Sequence, residues 1–209
     1  LAAADTTSNS LLQSATGGTV TVDTTASTFR TGGILMASGA SALTIGTAAN
    51  AGTLTAASAG GDLLVRNNVA SSSNTLTINS TIANNTSAST LTVIGNSAGN
   101  PTVTLTGTNT YSGGTTLGGD GWIRIGHNSA LGTGDLTFNN SGIFRFTSDS
   151  GTGRSLSNPV TFNGDGVARL GAGSPSNGTL TFSGAVSLGG ASRTLDIVVN
   201  TFFTGTVSN

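Results

Sequence analysis

Short apolar triplets recur along the whole chain. Thr19-Val20-Thr21-Val22, Gly33-Ile34-Leu35-Met36, Leu43-Thr44-Ile45, Thr53-Leu54-Thr55, Leu63-Leu64-Val65, Leu76-Thr77-Ile78, Leu91-Thr92-Val93 and Val103-Thr104-Leu105 fill the first half. Trp122-Ile123-Arg124-Ile125, Leu136-Thr137-Phe138, Ile143-Phe144-Arg145-Phe146, Val160-Thr161-Phe162, Val167-Ala168-Arg169-Leu170, Leu180-Thr181-Phe182, Val186-Ser187-Leu188 and Leu195-Asp196-Ile197 fill the second. In many of them apolar residues alternate with Thr, the period of a strand with one buried and one wet face. Gly, Asn, Ser or Ala separates each triplet from the next, at a spacing of roughly ten to fifteen residues, a short strand plus a turn. No stretch carries helical periodicity over ten residues. The pattern predicts an all-β chain.

Many short, evenly spaced strands suit a sandwich, a barrel or a solenoid. Sandwiches mark their hairpins with tight turns and guard their edges with Lys, Glu and Pro. Here there are three Pro and no Lys or Glu. A solenoid needs small residues at its corners and short apolar triplets pointing inward, and it buries each coil against its neighbours. The reading favoured is a right-handed parallel β-helix, a single elongated β-solenoid, with coils of roughly twenty to thirty-five residues. Residues 1–102 form N-terminal coils built from small side chains. Residues 103–209 form C-terminal coils in which nearly all the aromatics fall, which suggests wider coils.

Composition sharpens this picture. Charged residues make up 7% of the chain, all of them Arg or Asp, while Gly accounts for 32 of 209 residues. Simple disorder competes, because Gly/Ser/Asn-rich chains often bury too little apolar surface. The regular triplets and the 35% hydrophobic content argue against it. A net charge of −1 gives no electrostatic reason to bind nucleic acid. No apolar run is long enough for a membrane-spanning helix. The absence of Cys excludes disulfides and thiolate metal sites. The start, Leu1-Ala2-Ala3-Ala4-Asp5, has the small residues of a signal-peptide cleavage region, and equally suits an excerpt from a longer protein.

One segment is more specific. Leu105-Thr-Gly-Thr-Asn109-Thr-Tyr111-Ser-Gly-Gly-Thr-Thr-Leu117 leads into Trp122-Ile-Arg-Ile-Gly126-His-Asn-Ser-Ala-Leu131-Gly-Thr-Gly134-Asp-Leu136-Thr-Phe138. Over residues 103–146 this resembles the passenger-associated β-strand repeat of bacterial autotransporters and related surface proteins. Weaker echoes occur in Leu180-Thr-Phe-Ser-Gly184 and Phe203-Thr-Gly-Thr-Val207. The resemblance implies a right-handed parallel β-helix, secreted and displayed outside a bacterial cell, without enzymatic activity. In departure from the family's pattern, residues 103–209 do not read as a C-terminal membrane barrel, so self-translocation by these residues alone is not expected. Within the segment, Tyr111 is expected to lay its ring on the adjacent coil and keep its hydroxyl wet. Asn109 and Asn128 suit turns.

Some parallel β-helix proteins are polysaccharide lyases or hydrolases, whose sites need clustered carboxylates. Asp120, Asp135, Asp149 and Asp165, with Arg124, Arg145 and Arg169, are the candidates. Asp beside Gly, as in Gly119-Asp120-Gly121 and Gly164-Asp165-Gly166, is a turn signal before it is a catalytic one. His127 is the only histidine and reads as a turn residue. No catalytic, cofactor or metal residue is therefore assigned, and the chain is not expected to be an enzyme. The leading expectation is an extracellular structural protein that self-associates head to tail into fibres through Leu11, Leu12, Val198, Val199, Phe202 and Phe203. The second is an adhesin, with Trp122 as a glycan contact. A polysaccharide-active enzyme is the remote third.

Overall fold

The computed structural model describes residues 5–96, 99–149, 151–171 and 178–209; the leader-like residues 1–4 lie outside them. Among the described residues there are twenty-four strands and no helix. The chain winds through three faces. The first coil is β1 (Thr6–Ser8), β2 (Leu11–Gln13) and β3 (Val20–Val22). The second is β4 (Thr28–Thr31), β5 (Gly33–Met36) and β6 (Leu43–Ile45), and the third is β7 (Thr53–Thr55), β8 (Asp62–Asn67) and β9 (Leu76–Ile78). The fourth is β10 (Thr81–Ala83), β11 (Thr90–Gly95) and β12 (Thr102–Leu105). Two coils then have two strands each: β13 (Thr115–Gly119) with β14 (Gly121–Ile125), and β15 (Leu136–Asn139) with β16 (Ile143–Ser148). Three strands return in β17 (Arg154–Leu156), β18 (Val160–Phe162) and β19 (Val167–Leu170), and in β20 (Leu180–Phe182), β21 (Val186–Ser187) and β22 (Thr194–Ile197). The last two are β23 (Thr201–Phe203) and β24 (Val207–Ser208).

Strands stack only on their counterparts one coil away, and the paired strands run parallel. Face I is a continuous nine-stranded sheet from β2 to β24, and face II an eight-stranded sheet from β3 to β22. Face III holds two shorter sheets, β1-β4-β7-β10 and β17-β20-β23. This is a β-solenoid of about eight coils. At about 4.8 Å per rung, face I runs roughly 40 Å along the axis.

The alternation of each triplet sets the core. On face I, Ile34, Val65, Val93, Leu117, Phe138 and Phe162 follow one another at one register position, all buried. On face II the matching inner ladder is Val103, Ile123, Phe146 and Leu170. The residues between them point outward. Thr21, Thr44, Thr77 and Thr104 form one hydroxyl ladder, and Thr92, Thr116, Thr137, Thr161, Ser187 and Ser208 another.

The aromatic coils are not longer ones. Gly33 pairs with Leu64, 31 residues on, whereas Leu117 pairs with Phe138, only 21 on. The large side chains form a chain of ring contacts along the interior instead. Phe138 stacks on Phe162 with centroids 4.8 Å apart and meets Phe146 at 5.8 Å. Phe146 meets Phe182, and Phe182 stacks on Phe203 at 5.3 Å. All three faces contribute to this chain.

The segment carrying the family resemblance is where face III loses its strands. Residues 106–114 and 126–135 bridge the two short sheets with irregular backbone. Thr110 N–H donates to Ile82 O, and Thr133 N–H to Tyr111 O, so contact between coils continues without a ladder. Asn109 carries the rest. Its Oδ1 accepts from Ile82 N–H at 2.8 Å, satisfying the edge of β10, and its Nδ2 donates to Ala130 O at 2.6 Å. Buried Asn67, Asn140 and Asn158 likewise donate to backbone carbonyls of neighbouring coils. An amide that both donates and accepts replaces missing ladder bonds at a corner, and buried backbone groups require such partners. Tyr111 corrects an expectation. Its hydroxyl is not wet: the side chain is fully buried and bonds Thr115 Oγ1 at 2.5 Å.

Candidate functional site

The outer side of face II changes character at β14. Below it the outward residues are threonines. In β14, Ile123 and Ile125 point inward, so Trp122 and Arg124 point outward, both half-buried. Register then stacks Trp122, Arg145, Arg169 and Asp196 at one position on four successive rungs. Adjacent rungs lie about 4.8 Å apart.

The Trp122 indole is fixed at both ends. Its N–H donates to Thr147 Oγ1 at 2.8 Å, and the Arg124 guanidinium lies 5.3 Å over the ring. A cation on a partly desolvated ring contributes about 0.5–2 kcal/mol. Arg124 Nε is shielded from solvent and has no hydrogen-bond partner. Arg145 donates to Asn100 Oδ1, and Arg169 to Asp196 at 2.6 Å. Burial, and then the like charge of Arg169 on the next rung, lower the proton affinity of Arg145 below the ordinary value; Asp120 and Asp196 oppose that shift.

Beside the ladder is a cleft of about 180 Å³ lined by Asn100, Asp120, Gly121, Ile143 and Arg145. Asp120 Oδ1 is buried there without a partner. Its carboxylate lies against Gly142, where any side chain would collide with it.

The other sequence candidates are dispersed. Asp149 pairs with Arg154 and Asp165 with Arg193, while Asp135 stands exposed at a turn. His127 Nδ1 accepts from Ser129 N–H, which closes a turn. Among the described residues no three acids or histidines gather as a metal site would require. The six assembly candidates divide by direction. Leu11, Val199 and Phe203 are partly buried against the core. Leu12, Val198 and Phe202 are exposed. Asn100, Ile143 and Asp196 belong to the face II site, and nothing in their local sequence marks them. Only coil-to-coil register brings them there.

The fold defines the chain as a β-solenoid. Comparison with protein-family models, with curated proteins and with solved structures gave no match.

Proposed function

We propose that this chain is a secreted, non-enzymatic structural β-solenoid of a bacterial cell surface, and that copies join end to end into fibres. The observation that carries this reading is that, within these 209 residues, the last described rung leaves two inner-ladder positions open. Ile197 and Val207 are 48% and 58% exposed, yet they occupy the register positions at which Leu170 and Val186 are buried one coil earlier. Inner-ladder residues are built to be covered. The edges of β22, β23 and β24 carry a row of main-chain groups that can template another strand. A second copy whose β2 and β3 are set on this rung would bring Val20 onto Ile197, place Leu11 two register positions beyond Val207, and extend the ladders of faces I and II. Such a contact is heterologous and does not close, so it produces a filament. The resemblance of residues 103–146 to the autotransporter passenger repeat supports secretion and a scaffold role.

The test is electron microscopy and sedimentation of the 209-residue chain over a range of concentrations. Filaments that disappear in Ile197→Asp and Phe203→Asp variants, with far-UV circular dichroism unchanged, are the expected result. Monodisperse single solenoids at every concentration would overturn the reading.

A further inference from the structure

We propose that the outer side of face II binds an acidic polysaccharide, one bearing uronate carboxylates, through Arg124 and Arg145 beside Trp122. This does not depend on end-to-end assembly.

Among the described residues, four of the seven arginines hold a carboxylate: Arg30 with Asp5, Arg154 with Asp149, Arg169 with Asp196, and Arg193 with Asp165. Arg66, Arg124 and Arg145 do not. Two of these three stand on adjacent rungs of one face. Arg124 is held over the Trp122 ring, and Arg145 is anchored by Asn100. Guanidinium groups positioned in advance lose little freedom on binding, and each offers planar donors that match a carboxylate.

The adjoining cleft supplies acceptors. Arg145 shares it with Asp120, whose Oδ2 is left to accept hydrogen bonds while Oδ1 is shielded, and with Asn100, whose Oδ1 already accepts from Arg145. Donors for an anion beside acceptors for hydroxyls suit a sugar that carries both groups. A polyphosphate carries no hydroxyls to donate to those acceptors. Trp122, Arg145 and Arg169 repeat at the rung period, so the site is a track along the solenoid axis and fits an extended polymer.

Trp122 is the only tryptophan, so its fluorescence reports this site alone. Titration with polygalacturonate is expected to change Trp122 emission and to release or absorb heat in calorimetry, while neutral dextran does neither. Arg124→Gln and Arg145→Gln each weaken binding about tenfold, the loss of one charge-assisted contact, and Arg66→Gln leaves it unchanged. Absence of both signals with polygalacturonate would overturn the proposal, as would an equal response to dextran. Equal binding of polyphosphate would assign the face to anions in general and overturn the sugar. An equal loss in Arg66→Gln would do the same for the site. The comparison of polymers uses the unaltered chain and so decides the matter even if a variant misfolds.

Discussion

The Tyr111 and Thr115 hydroxyls meet 2.5 Å apart inside the solenoid, and Thr115 Oγ1 also donates to Leu131 O. Burial pushes the Tyr111 phenol well above its ordinary value; the bond to Thr115 opposes that shift but does not cancel it. The chain has no Lys and no Cys, so Tyr111 is the one side chain expected to titrate between about pH 9 and 12 in an unfolded chain. Above about pH 10 the unfolded chain releases this proton while the folded chain keeps it, so stability falls with rising pH by about 1.4 kcal/mol per unit. Below that pH the contribution is fully present. Tyrosinate absorbance should therefore appear together with unfolding, and Tyr111→Phe should flatten the alkaline dependence. Tyrosinate forming near pH 10 in an intact fold would place the hydroxyl in solvent.

Asn109 should be far more sensitive than its place in a Gly/Thr-rich loop suggests. Its side chain joins β10 in one coil to Ala130 two coils further on. Asn109→Ala leaves the Ile82 N–H and the Ala130 carbonyl short of a partner, at a cost of about 1–3 kcal/mol for each buried group left unsatisfied. Asn109→Asp keeps the acceptor but loses the donor and buries a charge. Denaturant midpoints of both variants should lie well below that of Asn84→Ala. Asn84 bonds Ser112 and Ser89 from a partly buried position at the surface.

Phe138 tests whether the aromatic chain is one unit. It touches Phe162 one rung on and Phe146 on the facing sheet. Phe138→Ala should cost about 3–5 kcal/mol. Phe202→Ala, which removes an outward and exposed ring, should change stability by less than about 0.5 kcal/mol. Because each coil is stabilised by its neighbours, hydrogen exchange in Phe138→Ala should rise in β15, β18 and β16 before it rises in β5 or β8.

Residues with two inward positions announced their strands. Leu43-Thr44-Ile45 and Leu76-Thr77-Ile78 are paired in the register their alternation implies. The face III strands β1, β4, β10 and β17 did not stand out, because each is polar and inserts at most one large apolar side chain, as with Phe29, Ile82 and Leu156. One such residue makes no period. The candidate site was half legible for a related reason. Alternation within β14 shows that Trp122 and Arg124 share a face. Whether Arg145 and Arg169 join them depends on coil length, and that varies: Val103 pairs with Ile123, 20 residues on, and Leu43 with Leu76, 33 on. Variable loops hide the stack from any fixed spacing.

Gly52 and Gly39 separate two reasons for glycine. Both are left-handed, at φ +74° and +81°. A side chain at Gly39 would meet open space, so Gly39→Ala should cost only the left-handed strain, about 1–2 kcal/mol. At Gly52 a Cβ would overlap the Thr24 carbonyl one coil away. Thr24 is held in place. Its Oγ1 is bonded to Ala51 O at 2.6 Å, one coil on, and to Ser80 Oγ at 2.7 Å, two coils on, so moving it away from Gly52 breaks both bonds. Gly52→Ala must therefore separate coils as well as strain its own backbone, and should cost at least about 3 kcal/mol. Thermal or denaturant unfolding of the two variants side by side measures the difference. Equal losses would mean that strain alone explains both glycines and that the coils at Thr24 yield to each other freely.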